Sequence, residues 1–442
     1  MSSYKRRPSP GNTEWFVQDR FGMFIHFGLY AVPARHEWIQ SYELIHNEAY
    51  DKYAEFFNPD LFDAKEWARK AKEAGMKYAV LTTKHHEGFC MFDSQYTDFK
   101  ITNTAFGRDL VKEYVEAFRA EGLKVGFYYS LIDWHHPEFT IDPIHPLRNH
   151  PNAKEISAKR DMKVYVEYLK NQVRELMTNY GKIDILWFDF SYDKTYELWH
   201  TPYTKDWMQE KTKEVWDAEN LIAMVRQLQP GILINDRAGL EQDIWTPEQL
   251  QAEEWVKHKE TGELVTWEAC QTFSGSWGYY RDEMTWKSPE MLIRMLINTV
   301  ATGGNLLMNV GPTARGEFDK RAQNALKVYG EWMHANSRSI YGCTMAEPEF
   351  TAPADCRFTQ SEDGKRLYVH LYAYPFERLS LPGLLGKVEY AQFLHDGSEV
   401  LMEEGDNLVY KDGKMQNEKV LVLNLPAVKP DQIVPVIELF LK

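Results

Sequence analysis

Through the first three-quarters of the chain, short apolar runs alternate with longer stretches whose apolar residues recur at helical spacing. That alternation predicts parallel strands joined by crossover helices. Strands are expected at residues 21–27, 78–84, 124–130, 183–190, 231–235, 264–273 and 305–310. Helices are expected up to Gly75 and over 109–121, 156–180, 290–302 and 319–337, with Gly75 and Gly181 placed to end theirs. Eight such units would close a barrel, and seven are counted. Beyond residue 340 helical periodicity stops, and runs at 366–372, 388–393 and 420–425 are separated by turns. The expected fold is therefore α/β, a (β/α)8-like TIM barrel over 1–340 followed by a small antiparallel β-sandwich over 341–442.

In parallel barrels the chemistry sits at the C-terminal ends of the strands. Here those ends are polar and aromatic: His26, then Lys84-His85-His86-Glu87, Tyr128-Tyr129-Ser130, Trp187-Phe188-Asp189 and Asn235-Asp236-Arg237. Asp189 closes the most apolar run, two residues after Trp187, so strand geometry puts indole and carboxylate on one face. A carboxylate against an aromatic wall is placed to attack an anomeric carbon. A helix cap or a pair with Arg237 is the plain alternative for the same residue.

The strings FGMFIHFG, HEW, TTKHHEGFC, VGFYYS, ILWFDF, INDR, WEACQTFSGSWGY and GGNLLMNVGP together resemble glycoside hydrolase family 29, the α-L-fucosidases. The resemblance runs from about Trp15 to Tyr341, with the motifs in family order on successive strand ends. It implies retaining hydrolysis of terminal α-L-fucosides on oligosaccharides or glycoconjugates, with no metal or organic cofactor. It makes Asp189 the nucleophile, and His26, Glu37, Trp38, His85, His86, Tyr128, Trp187 and Arg237 the ligands of the sugar. These residue types suit a deoxysugar, because imidazole and guanidinium groups bond hydroxyls while aromatic faces take its apolar C–H side.

The acid/base is not fixed by a local motif. The segment after the fifth strand offers Glu253, Glu254, Glu260 and Glu263, and the next strand offers Glu268. Glu253 is the expected acid/base because its placement, 64 residues after Asp189 (253 − 189), resembles that in bacterial members of the family, with Trp245 and Trp255 expected to pack this segment over the barrel mouth. Glu268 in WEACQ reads more readily as a buried structural carboxylate.

Two readings from other classes remain. His26, His85, His86, His135 and His136 could serve a metal-dependent hydrolase, but the adjacent His-His pairs cannot both face one ion from a strand. A non-catalytic sugar-binding barrel would lack the working carboxylates. The net charge of −14 disfavours nucleic acid and anionic membrane surfaces as partners. Cys90, Cys270, Cys343 and Cys356 show no paired spacing and read as reduced thiols. With a polar, basic opening and no long apolar run, the chain is expected to be cytoplasmic.

Overall fold

The computed structural model describes residues 4–442, so Met1–Ser3 of the polar opening lie outside the described residues. Seven strands, β1 (Phe21–Ile25), β2 (Tyr78–Lys84), β3 (Lys124–Ser130), β4 (Ile185–Asp189), β5 (Leu233–Ile234), β6 (Glu268–Thr272) and β7 (Asn305–Val310), form one curled parallel sheet. Their order is β5-β4-β3-β2-β1-β7-β6, so consecutive strands pair except β5 and β6, which lie at the two edges, and β1 pairs with β7. Every residue of β1, β2, β4, β6 and β7 is buried, which is why these strands read as continuous apolar runs.

The sheet's two edges, β5 and β6, are not left open. Residues 244–248 run between them, parallel to both, through the bridges Asn235–Ile244, Trp245–Trp267 and Glu248–Cys270. The Trp245 N–H donates to Thr266 O at 3.0 Å, the Glu268 N–H to Trp245 O at 2.9 Å and the Gln249 N–H to Cys270 O at 3.0 Å. This short segment takes the place of an eighth stave, the unit that hydrophobic patterning did not resolve. The expected strand over 264–273 is correspondingly shorter, because residues 264–267 pair back on Lys257 and Trp245 before β6 begins.

The crossover helices start where side chains can cap them. Leu110–Ala120, Pro289–Ala301 and Lys320–Asn336 begin after Asp109, Ser288 and Asp319, each accepting a first-turn backbone N–H. Such a cap contributes about 1 kcal/mol. The helix expected over 156–180 is two helices, Ala153–Ala158 and Met162–Asn179. Asp161 breaks it, because its extended backbone frees the carboxylate to accept from Lys163 N.

After the barrel the chain turns antiparallel. Strands β8 (Cys343–Thr344), β9 (Cys356–Ser361), β10 (Arg366–Leu371), β12 (Val388–Phe393) and β15 (Val436–Leu441) make one sheet. A second holds β11 (Arg378–Leu381), β13 (Leu401–Lys411) and β14 (Lys414–Asn424). The β13–β14 turn is Asp412-Gly413, both at positive φ, as a two-residue hairpin requires. A separate apolar core of Phe358, Leu367, Val369, Leu381, Leu423 and Leu439, among others, lies between the sheets. No helix among the described residues is long and apolar enough to cross a membrane.

Candidate active site

A cleft of about 700 Å³ opens at the C-terminal ends of the strands. It is lined by His26, Glu37, Trp38, His85, His86, Tyr128, Trp187, Asp189 and Arg237, so the strand-end residues singled out in the sequence come together. Each is delivered by one stave or the loop that follows it.

Asp189 ends β4 with its carboxylate nearly enclosed. The Tyr128 hydroxyl donates to Oδ2 at 2.7 Å and Arg237 Nη1 donates to Oδ1 at 2.9 Å. The pairing with Arg237 and a place in the cleft are thus both realised. The guanidinium lies over the Trp187 indole, 4.4 Å from the ring centroid. Burial lowers the Arg237 pKa, but Asp189, Cys270 and Glu248 together hold it well above the ordinary range, so it stays a cation.

Phe190, the next residue, has φ 78, a left-handed conformation that is costly for a phenylalanine. Its ring packs edge-on to His86 at 5.0 Å and against Trp38 at 5.3 Å. Packing therefore sets the direction in which the chain leaves Asp189.

The hydrogen-bond network assigns two histidine tautomers. Asn309 Nδ2 donates to Trp277 O at 2.6 Å, so its Oδ1 accepts from His26 Nδ1–H, also at 2.6 Å. The Ser130 hydroxyl donates to Ile132 O at 2.7 Å and therefore accepts from His86 Nδ1–H at 2.7 Å. Both rings keep Nε2 as a bare acceptor, and His86 Nε2 stands 3.9 Å from Asp189 Oδ2. Burial, with His85 alongside, pulls both pKa values well below 6.5, so both rings are neutral at pH 7.

Glu37 is 1 % exposed, and its Oε2 accepts from Ser276 Oγ and from the N–H groups of Trp277 and Gly278. Its Oε1 lies 3.3 Å from His36 Nδ1, but that nitrogen already accepts from Trp38 N. Oε1 is left as a buried acceptor without a donor, suited to a ligand hydroxyl.

The candidate acid/base needs correction. Glu253 and Glu254 are exposed and line a different cavity, with Tyr4, Leu264, Thr302, Pro348 and Arg357. The cause is Trp255, which packs not on the rim but at the opposite end of the barrel. It seats on Gly303 just before β7, where a Cβ would lie 2.2 Å from the indole. Its Nε1 donates to Val265 O at 3.0 Å. A carboxylate from this part of the chain that does enter the cleft is Glu248, at the top of the 244–248 stave, with Oε2 3.1 Å from Arg237 Nη1. The rule that picked out Asp189, polar residues at strand ends, also picks out Glu248 once that stave is recognised.

Glu268 lies at the start of β6, fully buried, accepting from the Tyr78 hydroxyl. Burial pushes its pKa up to about 8, with Tyr78 and Trp187 offsetting only part of that. The folded chain thus holds this proton where the unfolded chain, near 4.5, has released it. The stability this contributes is fully present below about pH 4.5 and is lost as pH rises through about 8. Glu268→Gln should flatten the alkaline decline of the melting temperature between pH 6 and 9. Parallel declines in both proteins would show that Glu268 does not carry it.

His135 and His136 lie away from the cleft, the first stacked on Phe99 and 3.2 Å from Asp51, the second packed on Tyr168. Among the described residues no three His, Cys, Asp or Glu side chains are grouped to hold a metal ion.

Residues 2–338 match the model of the α-L-fucosidase family. An α-L-fucosidase of Dictyostelium discoideum is 28% identical over 98% of this chain and 92% of its own. The α-L-fucosidase isoenzyme 1 of Paenibacillus thiaminolyticus is 44% identical, with a TM-score of 0.85 over 97% of this chain and 98% of that one. A Bacteroides thetaiotaomicron α-L-fucosidase, solved as a trapped covalent intermediate with 2-fluoro-fucosyl fluoride in a glutamate-to-glutamine mutant, is 28% identical. Its TM-score is 0.79, over 100% of this chain and 98% of that one. With the barrel, the appended sandwich and these matches in hand, the chain belongs to the α-L-fucosidase family of glycoside hydrolases.

Proposed function

We propose that this chain removes terminal α-L-fucosyl residues with retention of anomeric configuration, Asp189 acting as nucleophile and Glu248 as acid and then base. One observation carries the reading. Asp189 Oδ1 and Glu248 Oε2 lie 2.9 and 3.1 Å from the same nitrogen, Arg237 Nη1. The two oxygens are therefore no more than 6.0 Å apart (2.9 + 3.1). Retaining glycosidases hold their carboxyls about 5–5.5 Å apart, whereas inverting ones leave about 6.5–9.5 Å for a water.

In the first step the Asp189 carboxylate attacks the anomeric carbon while Glu248 gives its proton to the departing oxygen. The carbon–oxygen bond to the aglycone breaks as the ester to Asp189 forms. Glu248, now ionised, takes a proton from water, which attacks the same carbon and releases Asp189. His26 and His86, as neutral acceptors, and Glu37 Oε1 receive sugar hydroxyls, with Trp38, His85, Tyr128, Trp187 and Arg237 completing the pocket. The covalent intermediate trapped in the Bacteroides relative supports the two-step route.

Proton NMR of the first sugar released from an aryl α-L-fucoside, without added metal, tests the stereochemistry. α-L-Fucose should appear first and mutarotate afterwards. β-L-Fucose as the first product would make the reaction inverting and overturn the proposal.

A further inference from the structure

We propose that the outer wall of the cleft, built around Arg148, is a subsite for an acidic group on the sugar that carries the fucosyl unit. The proposal rests on the α-L-fucoside reading above and adds the charge of the aglycone. Arg148 lies in the long connection after β3, lines the same cleft as Asp189 and is 8% exposed. Its Nη1 donates only to neutral acceptors: Ser41 Oγ at 3.1 Å, His145 O at 3.1 Å and Ile144 O at 3.4 Å. Ser41 is held there by its own bond to Ile144 O at 2.6 Å.

Nε is buried with no acceptor, and Nη2 donates to no described residue. Nη2 is thus the donor left to face the cleft, and it takes a carboxylate or sulfate oxygen through a charge-assisted bond. Among the described residues no carboxylate comes within the 4.0 Å of an ion pair, although Glu197 lines the same cleft. Arg237, by contrast, has Asp189 and Glu248.

An enclosed guanidinium without a counter-ion is costly, and burial indeed lowers the Arg148 pKa, with Tyr203 and Asp142 opposing. An incoming anion offsets that cost, so it is bound preferentially over its neutral parent. The surroundings suit a sugar: Tyr42, Tyr196 and Tyr203 line the cleft with exposed rings, and the Arg148 guanidinium sits 4.8 Å from the Tyr203 ring centroid.

The test compares kcat/KM on a neutral fucosyl-oligosaccharide with two counterparts differing only in a carboxylate or a sulfate on the sugar that bears fucose. p-Nitrophenyl α-L-fucoside is measured alongside. Wild type should favour at least one acidic counterpart about tenfold, the arm that responds identifying the group. That preference should shrink in 0.5 M salt and disappear in Arg148→Met, with Arg148→Lys between. Equal rates on acidic and neutral substrates in wild type would overturn the subsite without needing any variant. So would an Arg148→Met that lowers all of them alike. No turnover of p-nitrophenyl α-L-fucoside would instead sink the fucosidase reading on which the subsite depends.

Discussion

Asp189→Ala is expected to lose at least about a thousandfold in kcat on aryl α-L-fucosides, some 4 kcal/mol of barrier, while the barrel stays folded. In the proposed mechanism this carboxylate forms the covalent bond, and Glu248, which is also held on Arg237, serves as the acid/base and not as a second nucleophile. Removal also strips Arg237 and Tyr128 of a shared acceptor, so the loss combines missing chemistry with a disturbed pocket. Azide separates the two. As a small external nucleophile in the vacated space it should restore turnover and yield β-L-fucosyl azide, a product of inversion. A variant that keeps a tenth of wild-type activity without azide would remove Asp189 from the role.

Glu248→Ala should behave differently, in a way that depends on the leaving group. A natural oligosaccharide leaves as an alkoxide unless it is protonated, so its kcat/KM should fall by about 10²–10⁴. An activated aryl fucoside leaves as a phenolate and should lose far less in kcat/KM, with the fucosyl-enzyme accumulating because no base activates water. Azide then intercepts that intermediate and gives α-L-fucosyl azide, the anomer opposite to that from the Asp189 variant. Glu253→Ala, on the far end of the barrel, should leave the ratio between the two substrates where it was. If Glu253→Ala produces the leaving-group signature and Glu248→Ala does not, the assignment of Glu248 is wrong.

What the sequence disclosed follows from how each element is built. Strands β2, β3 and β7 match their expected bounds residue for residue, because each is a mainly apolar run bounded by polar residues or glycine. His26, His85, Tyr128, Trp187, Asp189 and Arg237 were legible for the same reason. The 244–248 stave was not. It is five residues long, contains Pro247 and is held by scattered bridges, so it carries neither the length nor the alternation of a strand. Without it Glu248 had no strand end to mark it, and the exposed Glu253 beside Trp255 looked the better placed. The packing of Trp255 on Gly303, a contact between residues 48 positions apart (303 − 255), helps carry that segment to the other end of the barrel.

The bridged stave has a mechanical consequence. Asp189 rides on β4, laddered along its whole length to β3, from Gly126–Ile185 to Ser130–Asp189. Glu248 rides on a segment tied to its neighbours at a few points and followed at once by a connection to the other end of the barrel. Backbone so sparsely bonded yields at lower free energy than a full ladder. The barrel thus joins a rigid anvil to a compliant arm: under the proposed mechanism the group that bonds carbon is fixed, while the group that releases one oxygen and admits another can give way between the two events.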